Sequence, residues 1–266
     1  TELIRTVNYR ETLAYELINR LRRNGAHSIY VREKLRYALS SFLSDAGYFK
    51  KRILVSAYTC NTVAQAVKSV GAIPIYYDIT KDFQPDIKSL INEANKDIAA
   101  VIISDVYGVP QNIHPWLQNL SNKPLVIADF AHHLDFDFDL GNRPWIDVIL
   151  FSSNYYKPIS SVGCGILCIL TDKLDLEDSI MINNNYLRAV KKTVLLWLIN
   201  LALHSPFLPF IYRNIFKKSG DKRLFSLKEM SKPASTVALA QAFVSRRTCN
   251  RKENYDIYQR SIPNIP

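Results

Sequence analysis

The spacing of apolar positions changes as the chain proceeds. Leu13, Leu17, Ile18 and Leu21 recur at helical spacing over residues 11–23, and Leu35, Leu39, Phe42 and Leu43 do so over residues 32–43. Both stretches are predicted helices. From Ile53 onward short uninterrupted apolar runs alternate with helical stretches: residues 53–55, 62–70, 74–77, 87–94, 99–103, 116–120 and 125–127. A further apolar run covers Val148, Ile149, Leu150 and Phe151. That rhythm predicts βαβ units, so the fold class is α/β with a mainly parallel sheet wrapped by helices. Sheets of this kind bind ligands beyond the carboxyl ends of their strands. Cys60, Tyr107, Asp129, Ser152 and Lys157 all fall at or just past such ends.

Composition sets wide bounds. A chain of 266 residues, 48% hydrophobic and 22% charged, is long enough for a substantial core and ordinary for a soluble globular protein. Its four cysteines lack the paired spacing of a zinc site, and Cys164 and Cys168 flank an apolar strand as buried free thiols would. No metal site is expected, and free thiols fit a reducing, cytoplasmic compartment. The charged N-terminal residues contain no signal-peptide pattern. Formal net charge is +10, concentrated late: residues 213–260 hold twelve Lys and Arg against four Asp and Glu. A basic surface suits phosphorylated partners, whereas the scattered placement, without a reading motif, argues against nucleic acid.

The richest stretch for chemistry is residues 125–165. One predicted strand delivers Asp129, in Asp129-Phe130-Ala131-His132; the next delivers Ser152, in Phe151-Ser152-Ser153-Asn154-Tyr155-Tyr156-Lys157. Upstream stand Ile53-Leu54-Val55-Ser56-Ala57-Tyr58-Thr59-Cys60, then Val70-Gly71-Ala72, Pro74 and Asp78, and later Tyr107-Gly108-Val109-Pro110. In this order the motifs resemble the DegT/DnrJ/EryC1/StrS sugar aminotransferases, a branch of the fold-type I pyridoxal phosphate (PLP) enzymes. The resemblance runs from about residue 53 to 171, with a weaker return over 230–255.

The resemblance implies a fold-type I large domain over residues 1–175, with pyridoxal 5'-phosphate as cofactor. Lys157 would be the catalytic lysine, holding the aldehyde as a Schiff base, and Asp129 would sit beside the ring nitrogen. Ser152 would donate to the phosphate. His132 replaces the family's glutamine near the phenolic oxygen, and Cys60 replaces a residue that packs on the ring. Each also has a plainer reading: Asp129 as a helix cap, His132 as a partner of His133, Cys60 as a small core residue. Lys34-Leu35-Arg36 stands where the family has a Ser-Gly-Thr turn cradling the phosphate, so Leu35 in the glycine's place predicts weaker cofactor binding. The implied reaction is amino transfer to a nucleotide-linked keto-sugar in cell-surface polysaccharide biosynthesis. Glutamate would be the donor and a homodimer the assembly.

Residues 176–228 read as an apolar and basic insertion. Within it residues 193–212 carry no Asp, Glu, Lys or Arg, but prolines and Asn200 interrupt the run. A membrane span, a peripheral contact with the inner membrane face and an arm buried against a partner subunit remain open. Residues 229–266 read as a helix leading toward a small C-terminal domain that is absent or truncated. The rival reading is a catalytically weakened, membrane-associated binding or scaffold relative of the family.

Overall fold

A computed structural model describes residues 17–94, 97–133, 140, 143–153, 157, 163–183 and 230–231. Residues 17–23 (α1) are helical, followed by strand β1 (Ser28–Arg32) and helix α2 (Leu35–Asp45). Next come β2 (Arg52–Ser56), α3 (Asn61–Ser69), β3 (Ile73–Tyr77), α4 (Ile87–Ala94), β4 (Ile98–Ser104), α5 (His114–Leu117), β5 (Leu125–Asp129), β6 (Val148–Ser153) and β7 (Cys164–Ile169). Two-residue strands β8 (Ser179–Ile180), β9 (Ile182–Asn183) and β10 (Met230–Ser231) close the described part.

The first eight strands form one sheet in the order β3-β2-β4-β5-β6-β7-β1-β8. β3, β2, β4, β5 and β6 are parallel, β7 is antiparallel to both neighbours, and β8 is parallel to β1. The α/β expectation therefore holds, with β7 as the single reversed strand of the sheet. Both faces are covered, which is why the strands read as continuous apolar runs rather than alternating ones. Leu54, Val101, Ile103, Ile149, Phe151 and Ile166 pack with Leu21, Leu90 and Trp116 on one face. Ile53, Val55, Ile102, Ile127, Leu150 and Leu167 pack with Ala38, Phe42 and Val67 of α2 and α3 on the other.

The helix read as beginning at Arg32 begins at Leu35, because Arg32 ends β1 instead. Its guanidinium is buried, donating from Nε to Ser41 Oγ at 3.2 Å, from Nη1 to the Val31 carbonyl at 2.9 Å and from Nη2 to Ser179 Oγ at 2.8 Å. A buried arginine needs such partners. Met230–Ser231 pairs in parallel with Ile182–Asn183, so the stretch read as a C-terminal helix opens on an extended pair. The apolar run over 193–212 and the rest of the C-terminal stretch lie outside the described residues. Among the described residues no helix is long and apolar enough to cross a membrane.

Candidate active site

The carboxyl ends of β2, β4 and β5 and the loops beyond them enclose a cavity of about 380 Å³. Cys60, Asp129, His132 and Lys157, four of the five residues that the sequence assigns to the cofactor, line it together with Tyr107. Register explains the meeting. Ser104 pairs with Asp129, and Asp129 with Leu150, so the strand ends deliver their side chains to one place on the α2–α3 face. Ser152, two residues beyond Leu150, faces that same side but stands outside the cavity lining, half-buried and paired with Gly165 of β7.

Asp129 sits at the buried end of β5. Burial pushes its carboxyl above the usual aspartate range; the Ala131 N–H, which donates to Oδ1 at 2.9 Å, and the charge of Lys157 oppose that shift. A desolvated acid with a lysine across the same cavity is suited to a ligand that brings a cationic N–H to one and an electrophilic carbonyl to the other. A pyridinium aldehyde has both groups, so these residues fit PLP. The sign of the pH dependence follows from the raised value. Without cofactor, folded Asp129 holds its proton more tightly than the unfolded chain does, so its favourable contribution is complete below 3.8 and is lost as pH rises through the elevated value. Cofactor-free Asp129→Asn should therefore lose less stability than wild type across that window in urea unfolding. Identical pH profiles would remove the burial argument.

His132 is positioned by a backbone bond that the sequence does not reveal. Tyr107 N–H donates to His132 Nδ1 at 2.9 Å, so the neutral imidazole carries its proton on Nε2. Tyr107 adopts a left-handed backbone (φ 56°), and its ring stacks on His132 with centroids 5.9 Å apart.

Asp105 also lines the cavity and is not among the residues singled out from the sequence. It stands just past an apolar strand, as Asp129 stands at the end of one, and the same signal could have found it. Its buried carboxylate accepts Arg143 Nη1 at 2.8 Å and 3.1 Å, approaches His133 Nε2 at 3.0 Å and accepts the Gln111 N–H at 3.0 Å. Arg143 lies over the Phe130 ring, which stacks on His133 at 4.1 Å. Fully partnered in this way, Asp105 ties the loop after β4 to the loop after β5.

Leu35 is the first helical residue of α2, after an extended Lys34, and packs against the α2–α3 core cluster. Its backbone N lies against Gly165 of β7. Cys164 and Cys168 are buried and free, and burial pushes the Cys164 thiol up to about 12. Among the described residues no His, Cys, Asp and Glu side chains gather in a metal-holding group.

A mainly parallel sheet with an acid and a lysine facing one cavity at its carboxyl edge is the large-domain architecture of fold-type I PLP enzymes. A sequence profile described as the DegT/DnrJ/EryC1/StrS aminotransferase family matches residues 35–185. The chain belongs to that family, whose enzymes depend on PLP. Among solved structures, one described as a sugar aminotransferase from Streptococcus pneumoniae, in its PLP form, superimposes with a TM-score of 0.62 at 16% identity, over 94% of this chain and 64% of that one. Helicobacter pylori PseC, an aminotransferase involved in pseudoaminic acid biosynthesis, matches at a TM-score of 0.59 and 15% identity, over 97% and 68%. A GDP-4-keto-6-deoxymannose-3-dehydratase with a trapped PLP–glutamate geminal diamine matches at 0.62 and 14%, over 97% and 66%. The chain thus spans 64% of the length of the pneumococcal protein. No curated protein sequence matches it.

Proposed function

We propose that this chain carries the catalytic half-site of a PLP-dependent aminotransferase acting on a nucleotide-linked keto-sugar, in the synthesis of cell-surface polysaccharide. The observation that carries the reading is the pairing of buried Asp129 with Lys157 in one cavity at the carboxyl edge of the sheet. When bound, the cofactor supplies an aldehyde and an electron-accepting ring. Asp129 would keep a proton on the ring nitrogen, because a desolvated carboxylate is stabilised by a cationic N–H beside it. Lys157 Nζ would hold the aldehyde and, once the donor's amine displaces it as a free amine, would carry the proton to and from the substrate carbon. His132 Nε2–H would donate to the ring oxygen, Ser152 Oγ, at the flank of the cavity, to the phosphate, and Cys60 would pack at the ring's edge. Glutamate is the proposed donor and a homodimer the proposed assembly. A cytoplasmic protein, with any membrane contact made through residues 193–212, fits this work.

Borohydride reduction of the PLP-loaded chain, followed by peptide mapping, tests the reading. Label on Lys157 is the expected result; label on a different lysine would overturn the assignment. His132 can be tested separately. His132→Phe should weaken PLP binding by roughly tenfold to a hundredfold, the range for losing a hydrogen bond to a charged group. His132→Gln, which restores an N–H donor, should stay within about tenfold of wild type. Visible absorbance during PLP titration reads both variants, and equal losses from the two would show that donation is not the role of His132.

A further inference from the structure

The outer rim of the cavity is aromatic. Tyr58 and Tyr107 line it while remaining 48% and 61% exposed, and their hydroxyls lie 3.4 Å apart. Phe83 bridges them, with ring centroids 5.9 Å from Tyr58 and 5.5 Å from Tyr107. Both Phe83 (φ 60°) and Tyr107 (φ 56°) hold a left-handed backbone. That conformation is costly for bulky side chains and persists only where the surroundings enforce it.

The enforcing contacts come from behind the rings. Buried Gln111 donates from Nε2 to the Phe83 carbonyl at 3.0 Å and accepts the Ser104 N–H at 3.2 Å. Gln84 Nε2 donates to the Pro110 carbonyl at 3.1 Å, and Asn112 N–H donates to Gln84 Oε1 at 3.2 Å. Two loops are thereby clamped together, and they present aromatic rings to solvent at the mouth of a cavity. Large apolar side chains held outward in this way mark a recognition surface.

Size indicates what the rings meet. At about 380 Å³ the cavity lies near the small end of ligand pockets, which run from roughly 300 to 1,000 Å³. Cofactor and sugar fill such a space, so a nucleotide attached to the sugar must lie at the rim. A formal net charge of +10 favours the approach of a diphosphate.

We infer that Tyr58, Phe83 and Tyr107 form a shelf that stacks the base of a nucleoside diphosphate while its sugar enters the cavity toward Lys157. This rests on the sugar aminotransferase reading and adds to it the part of the substrate that is held outside the reacting centre.

The test is calorimetric titration of the PLP-loaded full chain with uridine diphosphate and guanosine diphosphate, with inorganic pyrophosphate as the base-free control. Tyr107→Gly removes a ring but keeps the left-handed backbone and the N–H that donates to His132; Tyr58→Ala removes the second ring. Each should weaken nucleoside diphosphate binding by about 5- to 150-fold, the range for losing one base–aromatic stack. Pyrophosphate binding should change less than about twofold, and Tyr107→Phe should bind as wild type does. The inference is overturned if wild type does not prefer the nucleoside diphosphates to pyrophosphate, or if the ring deletions weaken all three probes equally. It is also overturned if sedimentation shows that the deletions dissociate an assembly, because the rings would then be an interface between copies. The visible absorbance of bound PLP reports on Asp129 and Lys157 independently. A retained band with no nucleotide preference removes the shelf alone, whereas a wild-type chain without the band removes the reading beneath it.

Discussion

Lys157→Ala should lower amino transfer by about 10²–10⁴-fold, the usual contribution of a positioned proton carrier. Its loss as the proposed covalent anchor of the cofactor adds to that. Lys157 is partly exposed, and its described environment is a cavity wall rather than a packed core. Alanine there leaves no void, so stability should stay within about 0.5 kcal/mol of wild type. The variant therefore separates chemistry from folding. It also removes the positive charge that opposes the upward shift of Asp129, so the carboxyl should titrate at a still higher pH in the cofactor-free variant. Single-turnover amino transfer from glutamate to a nucleotide-linked keto-sugar measures the effect. Small amines added from solution should restore part of the rate and leave wild type unaffected. Amino transfer undiminished in Lys157→Ala would end the assignment, whatever the protein binds.

Gly165→Ala is the change expected to cost most stability. An alanine Cβ there would lie 2.1 Å from Leu35 N, 2.3 Å from Lys34 C and 2.4 Å from Leu35 Cα. All three are backbone atoms, so relief requires α2 to move as a body. That helix buries Tyr37, Ala38, Leu39, Phe42 and Leu43 against the sheet. Overpacking costs about 1–3 kcal/mol where side chains can adjust; with backbone on the other side, the loss should reach about 3 kcal/mol or more. Gly47→Ala is the control. Nothing lies within 4 Å of a Cβ at Gly47, and only its φ of 71° opposes the substitution, a cost of about 1–2 kcal/mol. Urea unfolding should rank Gly165→Ala well below Gly47→Ala, and the reverse order would mean that α2 yields easily.

A residue's environment is legible in the sequence where its neighbours along the chain determine it. The runs at Leu54, Val101, Val126 and Ile149 are apolar on both sides because both sheet faces are covered, so they read as strands without the structure. That Asp129 and Lys157 share a cavity was legible for a related reason: one ends β5, the other lies just beyond β6, and strand ends converge. β1 was hidden. Ser28 and Arg32 are polar types that look exposed, and Arg32 is buried only because Ser41 and Ser179 reach it from distant segments. Arg143 gave no signal either, since its partner Asp105 is 38 residues away. The left-handed backbone of Phe83 and Tyr107 contradicts local preference, and the Gln111 and His132 contacts that help to hold it come from residues far along the chain. The reversal of β7 against β6 is a matter of pairing direction, to which periodicity is blind.

That reversed strand has a consequence for the order of assembly. β1 pairs with β7 from Ser28 opposite Ile169 to Arg32 opposite Gly165, so β1 waits for a strand made more than a hundred positions later. Non-local pairings of this kind form slowly, and while they are pending the unpaired edge is exposed to association with other chains. The parallel block from β2 to β6 can close on nearer partners as it leaves the ribosome. β1, and the end of α2 that rests on Gly165, cannot be seated until β7 has emerged. The cavity floor at Asp129 belongs to the block that closes early, whereas the outer edge of β6, where Ser152 pairs with Gly165, is covered only when β7 arrives, so the side of the cavity proposed to hold the ring is built before the side proposed for the phosphate is completed.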